Sequence, residues 1–397
     1  MKELEIIGRK NSLFSQDILD NKEFLENEIS SSSFLVIGGA GTIGKAVTKE
    51  IFKHDPRKLH VVDISENNLV ELVRDIRSSI GYGSGEFQVF ALDCGSQIFE
   101  KMFHTFGDYD YVFNLSALKH VRSEKDPFTL HRMIEVNILN SIKVVNLAKK
   151  FDVKKYFSVS TDKAANPANM MGASKKIMEM FLMEESACQN ISMARFANVA
   201  FSDGSLLFSF RQRLLKNQPI SAPSDIKRYF ISPKESGQLC LFSALQGENR
   251  DIYFPKLEKK LHLQKFPEIA ERFLYLNGFE AVSCDSEDEA RGKVNELRKQ
   301  KKWPCYFFKS NTTGEKLFEE FYTKKEKLNF QQYKEIGIIK NGAYKPNPSL
   351  NKFLTDYEEL LGLKILTKEK ILNMFFSVLP EFKKTYVSKN KDLNQIM

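Results

Sequence analysis

Phe34-Leu35-Val36-Ile37-Gly38-Gly39-Ala40-Gly41-Thr42-Ile43-Gly44 runs from an apolar tetrad straight into a glycine-rich turn. Four consecutive apolar residues fit a strand buried on both faces. Ala46, Val47, Ile51 and Phe52 then recur at helical spacing. Glycines at 38, 41 and 44 allow a tight turn, close backbone approach to a pyrophosphate, and close contact between helix and strand. The helix start beyond them offers unpaired N–H groups to phosphate. A glycine triplet alone is a weak signal, but a strand before it and a helix after it supply the context. Gly38, Gly41, Thr42, Ile43 and Gly44 are therefore the expected dinucleotide cradle.

The next apolar run, Leu59-His60-Val61-Val62, ends on Asp63, nineteen residues after Gly44. A carboxylate at that place accepts hydrogen bonds from the adenosine ribose and favours NAD over NADP. Asp63 can also cap the following helix, but Ser65 can serve there instead. Further strand-like runs are Gln88–Leu92, Tyr111–Ala117, Tyr156–Val159 and Ile191–Phe196, with Asp251–Phe254 returning later. Asp93, at the end of the third, can meet the adenine edge. Helical patterns separate the runs, including Leu69, Leu72, Val73, Ile76 and Ile80, and a longer one through Ile134, Ile138, Ile142 and Val145. Strand and helix in alternation predict an α/β fold with a doubly wound parallel sheet.

Residues 1–33 read as an N-terminal helical segment and 34–200 as the dinucleotide-binding domain, joined by the returning strand near 251–254. Residues 201–397 read mainly as a smaller mixed α+β substrate lobe with a C-terminal extension. There the alternation breaks down around Arg211, Arg213, Lys216, Lys227 and Arg228. A weak helix is expected at Leu317–Tyr322 and a frayed tail at Asn390–Met397.

The 397 residues are 42% hydrophobic and 28% charged, with net charge +8, which is ordinary for a globular chain. Basic and acidic residues are interleaved, apart from short stretches such as Arg298–Lys302. That argues against a nucleic-acid surface and suits a small polyanionic substrate. Cys94, Cys188, Cys240, Cys284 and Cys305 are scattered without a Cys-x-x-Cys, and the six histidines lack metal-ligand spacing. A reducing compartment and no metal are expected. No signal-peptide core or membrane-length apolar run is present, so the expected location is the cytoplasm, with no membrane partner.

Ser160-Thr161-Asp162-Lys163-Ala164-Ala165-Asn166-Pro167 places a hydroxyl, a carboxylate and an amine side by side just past the strand Tyr156–Val159. Chemistry in open α/β sheets sits at the carboxyl ends of strands. The competing reading is a turn with a helix cap. A second lysine, Lys175, follows on a helix-like segment.

Together these residues resemble the extended short-chain dehydrogenase/reductase superfamily, a Rossmann fold. Ala117-Leu118-Lys119-His120-Val121, Thr161–Pro167, Met171-Gly172-Ala173-Ser174-Lys175 and Arg195-Phe196-Ala197-Asn198-Val199 more narrowly resemble the nucleotide-activated N-acetylglucosamine 4,6-dehydratases. Gly314-Glu315-Lys316 extends the likeness. Trp303-Pro304-Cys305-Tyr306-Phe307-Phe308 looks like the soluble dehydratases of legionaminic-acid-type pathways. The resemblance implies NAD-dependent loss of water from a UDP- or GDP-N-acetylglucosamine, with internal hydride return from C4 to C6, in bacterial surface-sugar biosynthesis by a homo-oligomer. It implies Thr161, Asp162, Lys163 and Lys175 as catalytic. Asp93, Cys94, Ala117, Lys119, Lys175 and Val199 lie beside the cofactor, and Lys119, Met171, Asn198, Arg228 and Glu315 beside the substrate. Two departures stand out. The superfamily usually carries Tyr four residues before its lysine, where this chain has Met171, as a subset of these dehydratases does. Relatives often carry Arg two residues before Gly-Glu-Lys, where this chain has Thr312, which keeps guanosine open beside uridine. A sugar-nucleotide epimerase and an inactive dinucleotide-sensing regulator are the alternatives. The first would keep the Tyr, and the second would not need Asp162, Lys163 and Lys175.

Overall fold

A computed structural model describes residues 2–120, 124, 126–257, 262–310, 320–342 and 346–386. The N-terminal segment forms α1 (Lys2–Ile6), α2 (Ser15–Asp20) and α3 (Lys22–Ser30). Alternation follows as β1 (Ser33–Ile37), α4 (Thr42–Phe52), β2 (Lys58–Asp63), α5 (Glu66–Ser79), β3 (Glu86–Ala91), α6 (Gln97–Phe106) and β4 (Tyr111–Asn114). Helix α7 (Pro127–Ile134) passes through a π-helical turn at Glu135–Leu139 into α8 (Asn140–Lys150). Strand β5 (Lys155–Thr161) ends in a 3-10 turn at Asp162–Ala164, before α9 (Met170–Glu185) and β6 (Ile191–Phe196). Then come β7 (Asn198–Val199), α10 (Leu206–Leu215), β8 (Ile220–Pro223), β9 (Lys227–Ile231), α11 (Pro233–Gln246) and β10 (Ile252–Pro255). The remainder comprises β11 (Leu263–Lys265), α12 (Phe266–Leu276), β12 (Glu280–Cys284), α13 (Glu287–Lys299), β13 (Lys302–Phe308), β14 (Leu328–Asn329), β15 (Ile336–Ile339), α14 (Pro348–Leu361), α15 (Lys368–Val378) and α16 (Pro380–Thr385).

The main sheet has nine strands in the order β14-β15-β10-β6-β5-β4-β1-β2-β3. Pairings from β3 to β10 are all parallel, and β15 and β14 add an antiparallel edge. Strands β1, β4 and β6 are buried at every residue, as helices on both sheet faces require. The strands are therefore near-continuous apolar runs, which is what made them readable. The helices start on side chains that satisfy their first N–H groups. Ser65 accepts from Asn68, Asp126 precedes Pro127, and Asn169 accepts from Gly172 at 2.9 Å. Ile37, Asn114 and Ser158 lie level in register across β1, β4 and β5. Thr161, three residues further, stands about 10 Å beyond that edge at the strand rise per residue.

Three features of the C-terminal half go beyond the sequence expectation. Strands β12, β13 and β8 form a separate parallel sheet, with the fully buried Trp303 donating to the Gln218 carbonyl at 3.0 Å. Ile336–Ile339 is a strand of the main sheet, antiparallel to β10. Helices α14 to α16 bury Leu350, Phe353, Ile371, Phe375 and Phe382 in one apolar cluster with Leu130 of α7 and Met170, Met171 and Ile177 of α9. Of the helix expected at Leu317–Tyr322, only Glu320–Tyr322 is described, and those residues are not helical. Thr312, Gly314-Glu315-Lys316 and the tail from Asn390 lie outside the described residues.

Candidate active site

Strands β1 and β4 are neighbours whose connections leave in opposite directions, so a crevice opens beyond their carboxyl ends. Gly38 turns there with φ +72°, against the backbone of Leu115 and Ser116. A Cβ on Gly44 would collide with the Gly38 carbonyl oxygen. The bare backbone at the head of α4 is a cradle that side chains would fill, and it fits a dinucleotide pyrophosphate. Asp63 is half-buried and faces this turn. Its Oδ2 accepts the Ala40 N–H at 3.0 Å and its Oδ1 the Ser65 N–H at 2.9 Å. Ser65, not Asp63, caps α5. Ile64 beside it is 71% exposed, an apolar surface suited to a base face that sequence reading did not single out.

The other expected cofactor residues divide. The Asp93 carboxylate accepts from Arg132 Nη2 and from the Gly95 N–H, each at 2.8 Å. Burial opposes its ionisation, but these donors outweigh burial and hold it below the usual carboxylate range. Cys94 is a core residue whose thiol burial pushes up to about 11. Val199 is buried in β7, whereas Ala117 and Lys119 are exposed. A contact absent from the sequence reading spans the crevice. Thr42 Oγ1 donates to Asp203 Oδ2 at 3.1 Å and accepts the Asp203 N–H at 3.0 Å.

At the end of β5, Thr161, Asp162 and Lys163 form one hydrogen-bonded group. Thr161 Oγ1 donates to Asp162 Oδ1 at 2.8 Å, and the Lys163 N–H donates to the same oxygen at 2.8 Å. Lys163 Nζ reaches that oxygen at 3.1 Å. Asp162 is 2% exposed, and its other oxygen, Oδ2, is buried with no hydrogen-bond partner among the described residues. A buried carboxylate oxygen without a donor is costly and points to a proton or a ligand hydroxyl at that place. Thr161 also caps the 3-10 turn, so cap and cluster coexist.

Lys175 is buried, and its Nζ donates to the Val159 carbonyl at 3.1 Å, tying α9 to β5. Burial lowers its ammonium pKa to about 8, offset in part by the Glu179 carboxylate. Glu179 receives Arg195 through Nε and Nη2 at 2.8 and 2.7 Å, and the Ser160 hydroxyl at 2.6 Å. Met171 is buried in the apolar cluster shared with the C-terminal helices. Its N–H donates at 3.2 Å to Glu124, which is half-buried and also takes the Met170 N–H. Burial, opposed by those N–H groups, holds the Glu124 carboxyl above its ordinary value. Neither Glu124 nor Glu179 carried a sequence signal, because their partners lie on other elements.

Of the residues expected beside a substrate, Asn198 donates through Nδ2 to the Tyr229 carbonyl at 3.2 Å between β7 and β9. Arg228 is buried rather than a solvated charge, with Nη1 on the Lys227 carbonyl at 2.9 Å. Glu315 lies outside the described residues. Among the described residues, no group of three or more His, Cys, Asp or Glu side chains can hold a metal ion. No described helix is long and apolar enough to cross a membrane.

Comparison with known proteins agrees with this architecture. An uncharacterised membrane protein of Methanocaldococcus jannaschii is 26% identical over 87% of this chain and 96% of its own length. The capsular polysaccharide biosynthesis protein CapD of Staphylococcus aureus is 27% identical over 79% of this chain, which spans only 48% of that protein. An inverting UDP-N-acetylglucosamine 4,6-dehydratase of Campylobacter jejuni is 28% identical over 57% of this chain and 68% of its own. The X-ray structure of Pen from Bacillus thuringiensis matches the fold with a TM-score of 0.63 at 20% identity, covering 86% of this chain and 99% of that one. The fold is thus the Rossmann-type one of extended short-chain dehydrogenases/reductases. With its glycine turn, Thr161–Lys163 cluster and returning strand β10 all inside the matched span, residues 34–341, the chain belongs to the polysaccharide biosynthesis protein family.

Proposed function

We propose that this protein is a nucleotide-sugar 4,6-dehydratase, a lyase acting on UDP- or GDP-N-acetylglucosamine with NAD as its cofactor. The reading is carried by one observation: the hydrogen-bonded Thr161, Asp162 and Lys163 at the end of β5, with Asp162 Oδ2 buried and without a hydrogen-bond partner among the described residues. The glycine turn and Asp63 would hold the dinucleotide, Asp63 taking the ribose hydroxyls. A dinucleotide held there would supply the acceptor for the C4 hydride and its return to C6. The residues of the chain handle the protons. Lys163 Nζ lies 3.1 Å from Asp162 Oδ1, within reach of proton transfer. In the neutral arrangement Lys163 is an amine able to take the C5 proton, made acidic by the 4-ketone. Asp162 is then a carboxylic acid able to protonate the departing C6 hydroxyl, which leaves as water. The 4-hydroxyl proton would leave through Thr161 to water, the protonated lysine would return its proton to C5 as the hydride arrives at C6, and a proton from water would restore the Asp162 acid. Thr161 can donate to the 4-oxygen, and Lys175, charged below its pKa of about 8, supplies positive potential behind the site. Lys119, Asn198, Arg228 and Glu315 are assigned to sugar and diphosphate.

The test is turnover of both sugar nucleotides by the pure protein and by two variants. Asp162→Asn removes the proton donor, and Lys163→Met removes the amine. Each should lower formation of the 4-keto-6-deoxy product by ~10² to 10⁴-fold, with NAD binding retained. Near-normal turnover in either would move the chemistry away from this pair. A C4 epimer as the product would instead make the protein an epimerase, and neither product would favour a dinucleotide sensor.

A further inference from the structure

One contact at the cofactor cradle has no part in the proposed proton chemistry. Thr42 is the first residue of α4, and Gly41 before it has no side chain to cap the first N–H groups of that helix. Thr42 Oγ1 donates to Asp203 Oδ2 at 3.1 Å and accepts the Asp203 N–H at 3.0 Å. A hydroxyl carries one proton. The Thr42 O–H is therefore committed to a carboxylate at the place where a dinucleotide phosphate would seek it. Asp203 also lies within electrostatic range of Lys119, beyond β4. Lys119 is reached by solvent but has protein on most sides, which lowers its ammonium pKa, and the Asp203 charge opposes that shift.

A built turn, rather than a loose chain, puts the carboxylate there. The Ala200 N–H donates to the Ile231 carbonyl at 2.8 Å, and Ser205 caps α10 by accepting the Phe208 N–H at 3.2 Å. Between these anchors Phe201 and Gly204 take φ +55° and +71°. The Ser205 N–H closes the turn on the Ser202 carbonyl at 2.8 Å. Arg211 lies over the Phe201 ring at 4.0 Å, and a Cβ on Gly204 would collide with the His120 ring. The turn thus packs against the segment after β4 while Asp203 reaches the head of α4. Asp203 follows the Arg195–Val199 motif by four residues, and no sequence pattern singled it out.

We infer that Asp203 is a negative determinant of dinucleotide affinity, a carboxylate that holds the Thr42 hydroxyl and meets an incoming pyrophosphate with like charge. The inference rests on the reading of the glycine turn as a dinucleotide cradle, but not on the sugar or the reaction. A carboxylate and a phosphate are both stabilised at a helix start, by the same N–H groups and the same dipole, so the two compete. A dinucleotide must either break the Asp203–Thr42 bond or bind beside a charge that repels it. Its binding is weakened in both cases, which makes the cofactor exchangeable rather than permanently held.

The experiment measures NAD binding by calorimetry on protein stripped of bound nucleotide, for the wild type and for Asp203→Asn. Asp203 is exposed, so the variant should fold. Removing its charge should tighten NAD binding by about tenfold, the scale of one unit charge a few ångströms away in a partly solvated site. The gain should shrink towards none in about 1 M salt, where charges are screened within about 3 Å. Equal binding at low salt would make the contact a packing feature, and weaker binding in Asp203→Asn would make the turn a clasp that retains the cofactor. Either result overturns the inference while leaving the cradle in place. No NAD binding by either protein would remove the cradle reading and this inference with it. Turnover is not read, so a failure of the proposed dehydration would leave the result standing.

Discussion

Met171 stands four residues before Lys175, where a phenol would normally serve, and its side chain joins an apolar cluster rather than a polar one. A thioether neither gives nor takes a proton, so its contribution is volume. Met→Leu keeps volume and polarity and usually costs under ~1.5 kcal/mol of stability. Met171→Leu should therefore keep turnover within about tenfold, equivalent to ~1.4 kcal/mol of barrier. Lys175→Ala should lose far more, since it removes the Val159 tether and the buried charge. Steady-state rates of the two variants decide this, and a dead Met171→Leu beside an active Lys175→Ala would contradict the placement of the site. The two cases also show what single residues reveal in sequence. Asp162 and Lys163 were legible because adjacency itself is the signal. Glu179 was not, since Arg195 lies sixteen residues away and reads as one more residue of a buried strand. Glu124 was missed for the same reason, its partners being backbone N–H groups at the head of α9.

The elements that frame the site fall into those with local patterns and those defined by distant pairing. Strands β1, β2, β4, β5 and β6 showed as apolar runs between helical patterns because both their faces are covered. By contrast, β13 pairs β8 across 85 residues, Cys305 opposite Ile220, and no local period announces it. The C-terminal helices are similar. The sequence reading named no helix over residues 348–385, and nothing in sequence says that an apolar stripe there covers α7 and α9. Phe353 lies at the centre of that contact, edge-on to Phe375 at 5.6 Å and to Phe181 of α9 at 6.2 Å. It is fully buried, and Phe→Ala in such a place costs about 3–5 kcal/mol. Denaturant unfolding should show that loss for Phe353→Ala, whereas Phe128→Ala, at a residue 69% exposed on α7, should stay within about 0.5 kcal/mol. Similar small losses for both would mean that α14 and α15 do not rest on α9.

Taken whole, the molecule sets a dinucleotide cradle and a Thr-Asp-Lys group on one rim of one sheet. β1 and β5 are separated only by β4, so the two lie about 10 Å apart in the direction across the strands. Among the described residues, two smaller three-stranded sheets, one of β7, β9 and β11 and one of β8, β12 and β13, follow β6 in sequence. The placing of cradle and group on one rim was largely legible because each motif directly follows an apolar run, at the carboxyl end of a strand of the same parallel sheet. The lobe was not legible, because its strands pair across long insertions. The central claim is that hydride leaves C4 and returns to C6 of the same sugar while Asp162 and Lys163 remove water. The most direct measurement supplies UDP- or GDP-N-acetylglucosamine deuterated at C4 and reads the product by NMR and mass spectrometry. A 4-keto-6-deoxy product with the deuterium at C6 is the predicted result. Deuterium retained at C4 of an epimerised sugar, or no conversion of either nucleotide, would contradict it.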